Sequence, residues 1–265
     1  MVHRASNILH QTADPAKRAK PARSLRERLY PEVVAGGFAR RSHRLSFMLR
    51  VNALLSPDMD VLDFGAGRGA AQDVTNLFIR SLSDLRPRCR RVVGADVGPE
   101  VLENPGLTEA VMLQPGAPLP FADASFDLIV SYAVFEHITD PERVASELQR
   151  VLRPGGWLCA WTPNRWSYFA IGASLLPQRL HTRVLARLSP SRPADDAFPT
   201  VYRMNTGRAL ARLFPPDKWS DHSYTANSDV RYHGGFTVLA RLWQLWGALA
   251  PPDLRDARYI FLRKR

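Results

Sequence analysis

The chain has 265 residues, 45% hydrophobic and 23% charged, with 36 Lys/Arg against 25 Asp/Glu and a formal net charge of +11. This suits one large soluble globular domain that buries about three quarters of its unfolded surface, and it excludes a disordered chain or a collagen-like or coiled-coil rod. No run approaches the ~18 apolar residues of a membrane-spanning helix, and Cys89 and Cys159 form no CxxC pair or His/Cys cluster, which argues against a disulfide framework or a metal site.

Residues 1–23 read as a flexible basic arm without the apolar core of a secretory signal, so a cytoplasmic protein is expected. The charge is uneven: +8 over residues 1–50, −5 over 51–165 and +8 over 166–265. Most of the excess is arginine, since lysine occurs only at Lys17, Lys20, Lys218 and Lys264. Basic flanks suit nucleic acid or an anionic membrane surface, but net charge speaks first to solubility.

Helical patterns are predicted at about 24–36 and 42–55, broken by Gly36-Gly37. Short apolar runs then alternate with helical stretches. Strands are predicted at Asp60–Phe64, Arg91–Ala95, Ala110–Leu113, Phe126–Ser131 and Trp157–Trp161, and helices at about 69–82, after Pro99 and over Pro141–Leu152, the last stopped by Gly155-Gly156. Strand–helix alternation predicts βαβ units and a doubly wound, mostly parallel sheet. Beyond residue 165 the rhythm changes. A helical insertion is expected over 166–188, a loop over Pro190–Pro199, a helix over Thr206–Phe214, a strand over Lys218–Thr225, a helix over Gly235–Leu249 and a strand over Tyr259–Leu262.

The most informative stretch is Val61-Leu62-Asp63-Phe64-Gly65-Ala66-Gly67-Arg68-Gly69. An apolar strand runs into three glycines and then a helix. Glycines permit the sharp turn and close ligand approach, and the helix start offers free N–H groups. Gly65 to Ala70 fits a dinucleotide fingerprint, but Asp63 would face a pyrophosphate unfavourably. A carboxylate there suits a ligand with an ammonium group and no phosphate, such as S-adenosylmethionine. Asp96, at the tip of the second strand, is placed to accept ribose hydroxyls. Taken singly, the glycines also suit a plain tight turn, and each aspartate a helix cap.

VLDFGAGRG, VVGADVGPEVLE, the run from Leu119 to Leu158 and the following Thr162-Pro163-Asn164 together resemble the class I S-adenosylmethionine-dependent methyltransferases, in particular the type 11 group. The resemblance covers about residues 58–164. It implies a Rossmann-like sheet of seven strands, the last antiparallel, as a cofactor-binding core, with N-terminal helices (24–55) and a helical C-terminal insertion (165–250) as substrate caps within one domain, 24–265. By position it implies that Asp63, Gly65, Ala66 and Gly67 line the methionine end of the cofactor, with Ser131 nearby. It implies Asp96 on the ribose, Val97 on the adenine, and Gly116 and Ala117 at the adenine edge. The loop Gln114-Pro115-Gly116-Ala117-Pro118 lacks the acidic residue that the family often carries before an alanine.

His137, after the fourth strand, is the candidate general base if the acceptor must lose a proton; packing beside the cofactor is the alternative role. Glu136, His222 and His233 are weaker candidates. The cap region is rich in aromatics, including Trp166, Tyr168, Phe169, Phe198, Tyr202, Phe214, Trp219, Tyr224 and Tyr232, while Trp243, Leu245 and Trp246 are expected to pack in the core. The expected activity is methyl transfer to a small-molecule or glycan acceptor, most naturally at oxygen. RNA ribose methylation is an alternative prompted by the basic charge. Base methylation is disfavoured, because no Asn/Asp-Pro-Pro-aromatic motif stands at Ser131-Tyr132-Ala133-Val134 and no Pro-Cys nucleophile is present. A non-catalytic cofactor-binding protein and a nicotinamide oxidoreductase are further alternatives. Peripheral membrane contact and the oligomeric state stay open.

Overall fold

The computed structural model describes residues 23–69, 74–167, 200–230 and 236–265. The arm before residue 23, residues 168–188 of the expected insertion, the loop to Pro199, and Tyr232 and His233 lie outside the described residues.

The N-terminal segment forms α1 (Leu25–Leu29), a 3-10 turn (Pro31–Val34) and α2 (His43–Leu54). Ser24 caps α1 in a capping box with Glu27, and Ser42 caps α2. The strands are β1 (Asp60–Phe64), β2 (Arg91–Asp96), β3 (Glu109–Met112), β4 (Phe126–Tyr132), β5 (Leu152–Pro163), β6 (Trp219–Asp221), β7 (Tyr224–Ala226) and β8 (Ala257–Lys264). Between them lie α3 (Leu77–Ser83), α4 (Pro141–Val151), α5 (Gly207–Leu213) and α6 (Thr237–Leu249).

The sheet order is β3-β2-β1-β4-β5-β8-β6, with β7 also on β8. Strands β1 to β5 pair in parallel, whereas β8 runs antiparallel to β5, β6 and β7. The expected single strand over Lys218–Thr225 is thus broken into β6 and β7. The break is stitched by the His222 amide donating to the Phe261 carbonyl and the Phe261 amide donating to Ser223 Oγ. Eight strands fill seven positions, which is the doubly wound α/β arrangement expected from the alternation.

Both faces of the sheet are covered. On one face α4 and α5 bring Ala145, Leu148, Val151 and Leu210 against Leu62, Val93, Ile129, Leu158 and Ile260. On the other, Phe47, Met48 and Val51 of α2 and Leu82 of α3 meet Val61, Val92, Leu128, Cys159 and Phe261. Adjacent strand residues such as Val61 and Leu62 therefore serve opposite cores, which explains why the strands read as continuous apolar runs. A third cluster joins Leu29, Tyr30 and Ala39 to Val230 and Ala240 of α6.

Three further sequence expectations change. The helix predicted over 69–82 is observed only as Leu77–Ser83, with residues 70–73 outside the described set. Gly155-Gly156 does not stop a helix: α4 ends at Val151, and the pair forms a bulge inside β5. Gly155 sits at φ +79°, and a Cβ on Gly156 would lie 2.7 Å from the Asp127 carbonyl oxygen, so the chain needs glycine to pass that close to β4. Leu245 is exposed and belongs to no core cluster.

The edge of the sheet where the parallel strands begin is pinned by charge. Asp60, 1% exposed, takes the guanidinium groups of Arg90, Arg91 and Arg153. Arg153 also pairs with Asp127, whose carboxylate accepts from the Asp60 amide at 2.8 Å. Burial pushes the Asp60 carboxyl upward, but the three arginines outweigh it and hold the group below the usual carboxylate range. A depressed value contributes stability above the unfolded-state pKa that is lost as pH falls. Asp60→Asn is expected to cost about 2 kcal/mol at pH 7 and to flatten the acid limb of stability. Urea denaturation at pH 7 and pH 2.5, below the unfolded-state value, checks this, and equal losses at both pH values would contradict it.

Candidate functional site

At the other end of β1, β2 and β4 the strands open into a cleft of about 660 Å³, within the range of small-molecule and cofactor sites. Its floor is Asp63 to Gly69 and Asp96-Val97. Its walls include Gln114–Ala117, Tyr132–Val134, Glu136–Asp140, Arg143, and Arg44 and Met48 of α2.

The glycine turn is fixed by its neighbours. The Gly65 amide donates to the Ala95 carbonyl at 2.8 Å, and the Gly67 amide donates to Asp96 Oδ2 at 2.8 Å. The Gly98 amide donates to Asp96 Oδ1 at 2.9 Å. One carboxylate therefore holds the first turn and its own loop together, with lone pairs still facing the cleft. Gly65 has φ +79°, and a Cβ there would come within 2.3 Å of Val134. Asn104, which the sequence reading missed, donates to the carbonyls of Ala66 and Gly67 at 3.1 Å each.

Asp63 stands in contrast. Burial, reinforced by the neighbouring Asp96 charge and only partly opposed by Arg44, raises its carboxyl to about 7. Arg44 lies over the Tyr132 ring at 4.4 Å, and Tyr132 stacks on Trp161 with centroids 4.6 Å apart. Two acids this close, offset only in part by Arg44, favour a positively charged neighbour.

Asp63, Gly65, Ala66, Gly67, Asp96, Val97, Gly116, Ala117 and His137 all line this one cleft. Val97 is an apolar side chain left 50% exposed beside Asp96. Gly116, at φ +83°, has open space around it. Ser131 does not line the cleft. It is fully buried, and its hydroxyl donates to the Phe64 carbonyl at 2.9 Å, so it ties β4 to β1. Tyr132, Ala133 and Val134 take the wall instead, with Ala133 in the left-handed region at φ +62°.

His137 ends a short 3-10 turn (Phe135–His137) at the cleft wall. Its Nε2 lies 3.8 Å from Glu136 Oε1. Glu136 is buried and its Oε2 accepts from Thr162 Oγ1 at 2.9 Å. The Glu136 carbonyl also accepts from the Val201 and Tyr202 amides, which ties the turn to the segment before α5. His222 is exposed at the β6–β7 break, with its ring 5.4 Å from Trp157, and does not line the cleft. Phe214 and Trp219 are core residues. Among the described residues no cluster of His, Cys, Asp or Glu is arranged to hold a metal ion.

Residues 62–160 match the family model described as a methyltransferase domain. The chain is 31% identical over 207 residues to a probable S-adenosylmethionine-dependent methyltransferase of Mycobacterium tuberculosis, covering 74% of this chain and 64% of that protein. It is 36% identical over 129 residues to another of that description from Mycolicibacterium smegmatis, covering 48% of this chain and 46% of that one. The chain thus spans about half to nearly two thirds of these relatives. A chain of the Haloferax volcanii complex between the Trm112 methyltransferase activator and a methyltransferase shares the fold, with a TM-score of 0.51 at 16% identity over 83% of this chain and 89% of that one.

The raised Asp63 has a consequence in the ligand-free protein. Its unfolded-state value is near 3.8 and its folded value about 7. The folded state binds the extra proton between those limits, so this group lowers stability progressively as pH rises through that window. Asp63→Asn should therefore raise the thermal midpoint clearly at pH 8 and little at pH 4. A calorimetric melt at both pH values decides it, and an equal shift at each would count against the raised value.

Proposed function

Starting from residues 62–160 as a class I, S-adenosylmethionine-dependent methyltransferase domain, we propose that the chain transfers the cofactor's methyl group to a small-molecule or glycan acceptor, at oxygen. The observation that carries this is the pair of carboxylates on adjacent strand tips, Asp63 and Asp96, in one cleft with the glycine turn between them.

The residues present fit the cofactor's chemistry. Asp63 is a desolvated acid that gains from an ammonium neighbour. Asp96 is held by two backbone amides and keeps acceptor capacity for a diol. Val97 offers an apolar face to a flat ring, and the Gly116-Ala117 backbone bounds the same pocket. When bound, S-adenosylmethionine supplies a methyl group on a sulfonium that an incoming nucleophile can take in line.

The chain's own contribution is alignment, exclusion of water and handling of a proton. His137, on the cleft wall, accepts the acceptor hydroxyl's proton at an imidazole nitrogen. Glu136 beside it, fixed by Thr162, sets its carboxylate 3.8 Å from the ring Nε2 and so helps to position the imidazole. Arg44, stacked on Tyr132 at the wall, favours an acceptor that carries an acidic or polarisable group.

Asp96→Ala should weaken S-adenosylmethionine binding about tenfold to a hundredfold in titration calorimetry, while NAD(H) should not bind the wild type. Tight NAD(H) binding would end the reading. For the base, label transfer from methyl-tritiated cofactor into a protein-free cell extract that retains both small molecules and RNA is the readout. His137→Ala should lower it about a hundredfold or more with cofactor affinity unchanged. Unchanged transfer would remove His137 from the chemistry, and label that vanishes on ribonuclease treatment would replace the small-molecule acceptor with RNA.

A further inference from the structure

Helix α6 (Thr237–Leu249) is docked on one side, and on the other it carries exposed apolar residues that belong to no core cluster among the described residues. Its docked side places Ala240 with Leu29, Tyr30, Ala39 and Val230, and Gln244 donates to the Leu29 carbonyl at 3.1 Å. On the other side Val238, Leu242, Leu245 and Leu249 are 75%, 57%, 57% and 71% exposed. Their spacing of four, three and four residues puts them on one stripe. Phe236, the residue before the helix, is also exposed, at 69%. Isolated exposed leucines need no explanation, but a continuous row of four large apolar side chains does.

The surroundings of this stripe are cationic. Arg241 is exposed on the same helix. α1, packed against the docked side, adds exposed Arg28, with exposed Arg23 just before the helix, while Arg26 is paired with buried Asp229. In sequence the chain before Arg23 adds Arg4, Lys17, Arg18 and Lys20 against Asp14. No described helix is long and apolar enough to cross a membrane, so this face can only rest on one.

We propose that α6 is a peripheral membrane contact that seats its apolar stripe in a lipid surface while the neighbouring arginines meet anionic headgroups. An apolar face and a basic segment are each weak anchors, and together they give useful affinity. A second copy of the chain is the less suitable occupant. A two-fold contact through this stripe would bring each copy's arginines toward those of the other, whereas an anionic bilayer relieves the same charge. This inference stands apart from the proposed methyl transfer, because none of these residues lines the cleft.

The test is co-sedimentation of the full chain with vesicles of phosphatidylglycerol and phosphatidylcholine in equal parts, against phosphatidylcholine alone. Binding to the anionic vesicles should exceed binding to the neutral ones about tenfold and fall steeply with added salt. Leu242→Ser with Leu245→Ser should reduce it about tenfold, and Arg28→Gln with Arg241→Gln should reduce it in low salt only. S-adenosylmethionine affinity, measured on the same preparations, should be unchanged in both variants. Absence of wild-type binding would overturn the proposal, as would equal binding by wild type and the leucine variant. So would a dimer, seen by analytical ultracentrifugation, that the leucine variant dissociates.

Discussion

The cleft depends on one carboxylate. Asp96 accepts the Gly67 amide from the turn after β1 and the Gly98 amide from its own loop. The parallel register, with Asp63 beside Gly94 and Phe64 beside Ala95, brings the two strand tips level. Gly65 then hydrogen-bonds to Ala95, and Asn104 reaches back to Ala66 and Gly67. Backbone that would otherwise need solvent is satisfied from the adjacent strand, which holds the turn in shape. Left-handed glycines at 65 and 67 allow the chain to bend there.

The two ends of β1 show how position sets chemistry. Asp60 and Asp63 are three residues apart in one strand. Asp60 meets three arginines and is held ionised. Asp63 meets a second aspartate, with only Arg44 to offset it, and is pushed up to about 7. The first arrangement stabilises the fold. The second leaves a buried acid only partly compensated by Arg44, an arrangement that a positively charged ligand would relieve. The fold alone does not specify that ligand or its reaction; the reading rests on the carboxylate pair.

Much of this was legible in the sequence because its signals are local. The apolar run ending in Asp63 and three glycines predicts a strand and a sharp turn, and the Pro at the start of α4 predicts a helix. Features set by the sheet were not legible. Ser131 looks like a cleft residue because it lies near the end of β4, but the pleat turns it onto the Phe64 carbonyl, and the wall is made by the next three residues. Asn104 and Arg44 reach the cleft from a loop and from α2, at distances along the chain that no spacing pattern reveals. Gly155-Gly156 reads as a stop signal because glycine pairs often are one, whereas here they permit a bulge against Asp127. Leu245 belongs to an apolar helix and so reads as core, while the docked side of α6 is the opposite one.

The most direct test is the proton balance of cofactor binding. Titration of S-adenosylmethionine at pH 6 in two buffers of different ionisation enthalpy measures it. If Asp63 is protonated in the free protein and ionised opposite the cofactor's ammonium, about one proton leaves on binding at pH 6, and the release falls away as pH rises through 7. Binding without proton release at pH 6, or with uptake, would contradict the account.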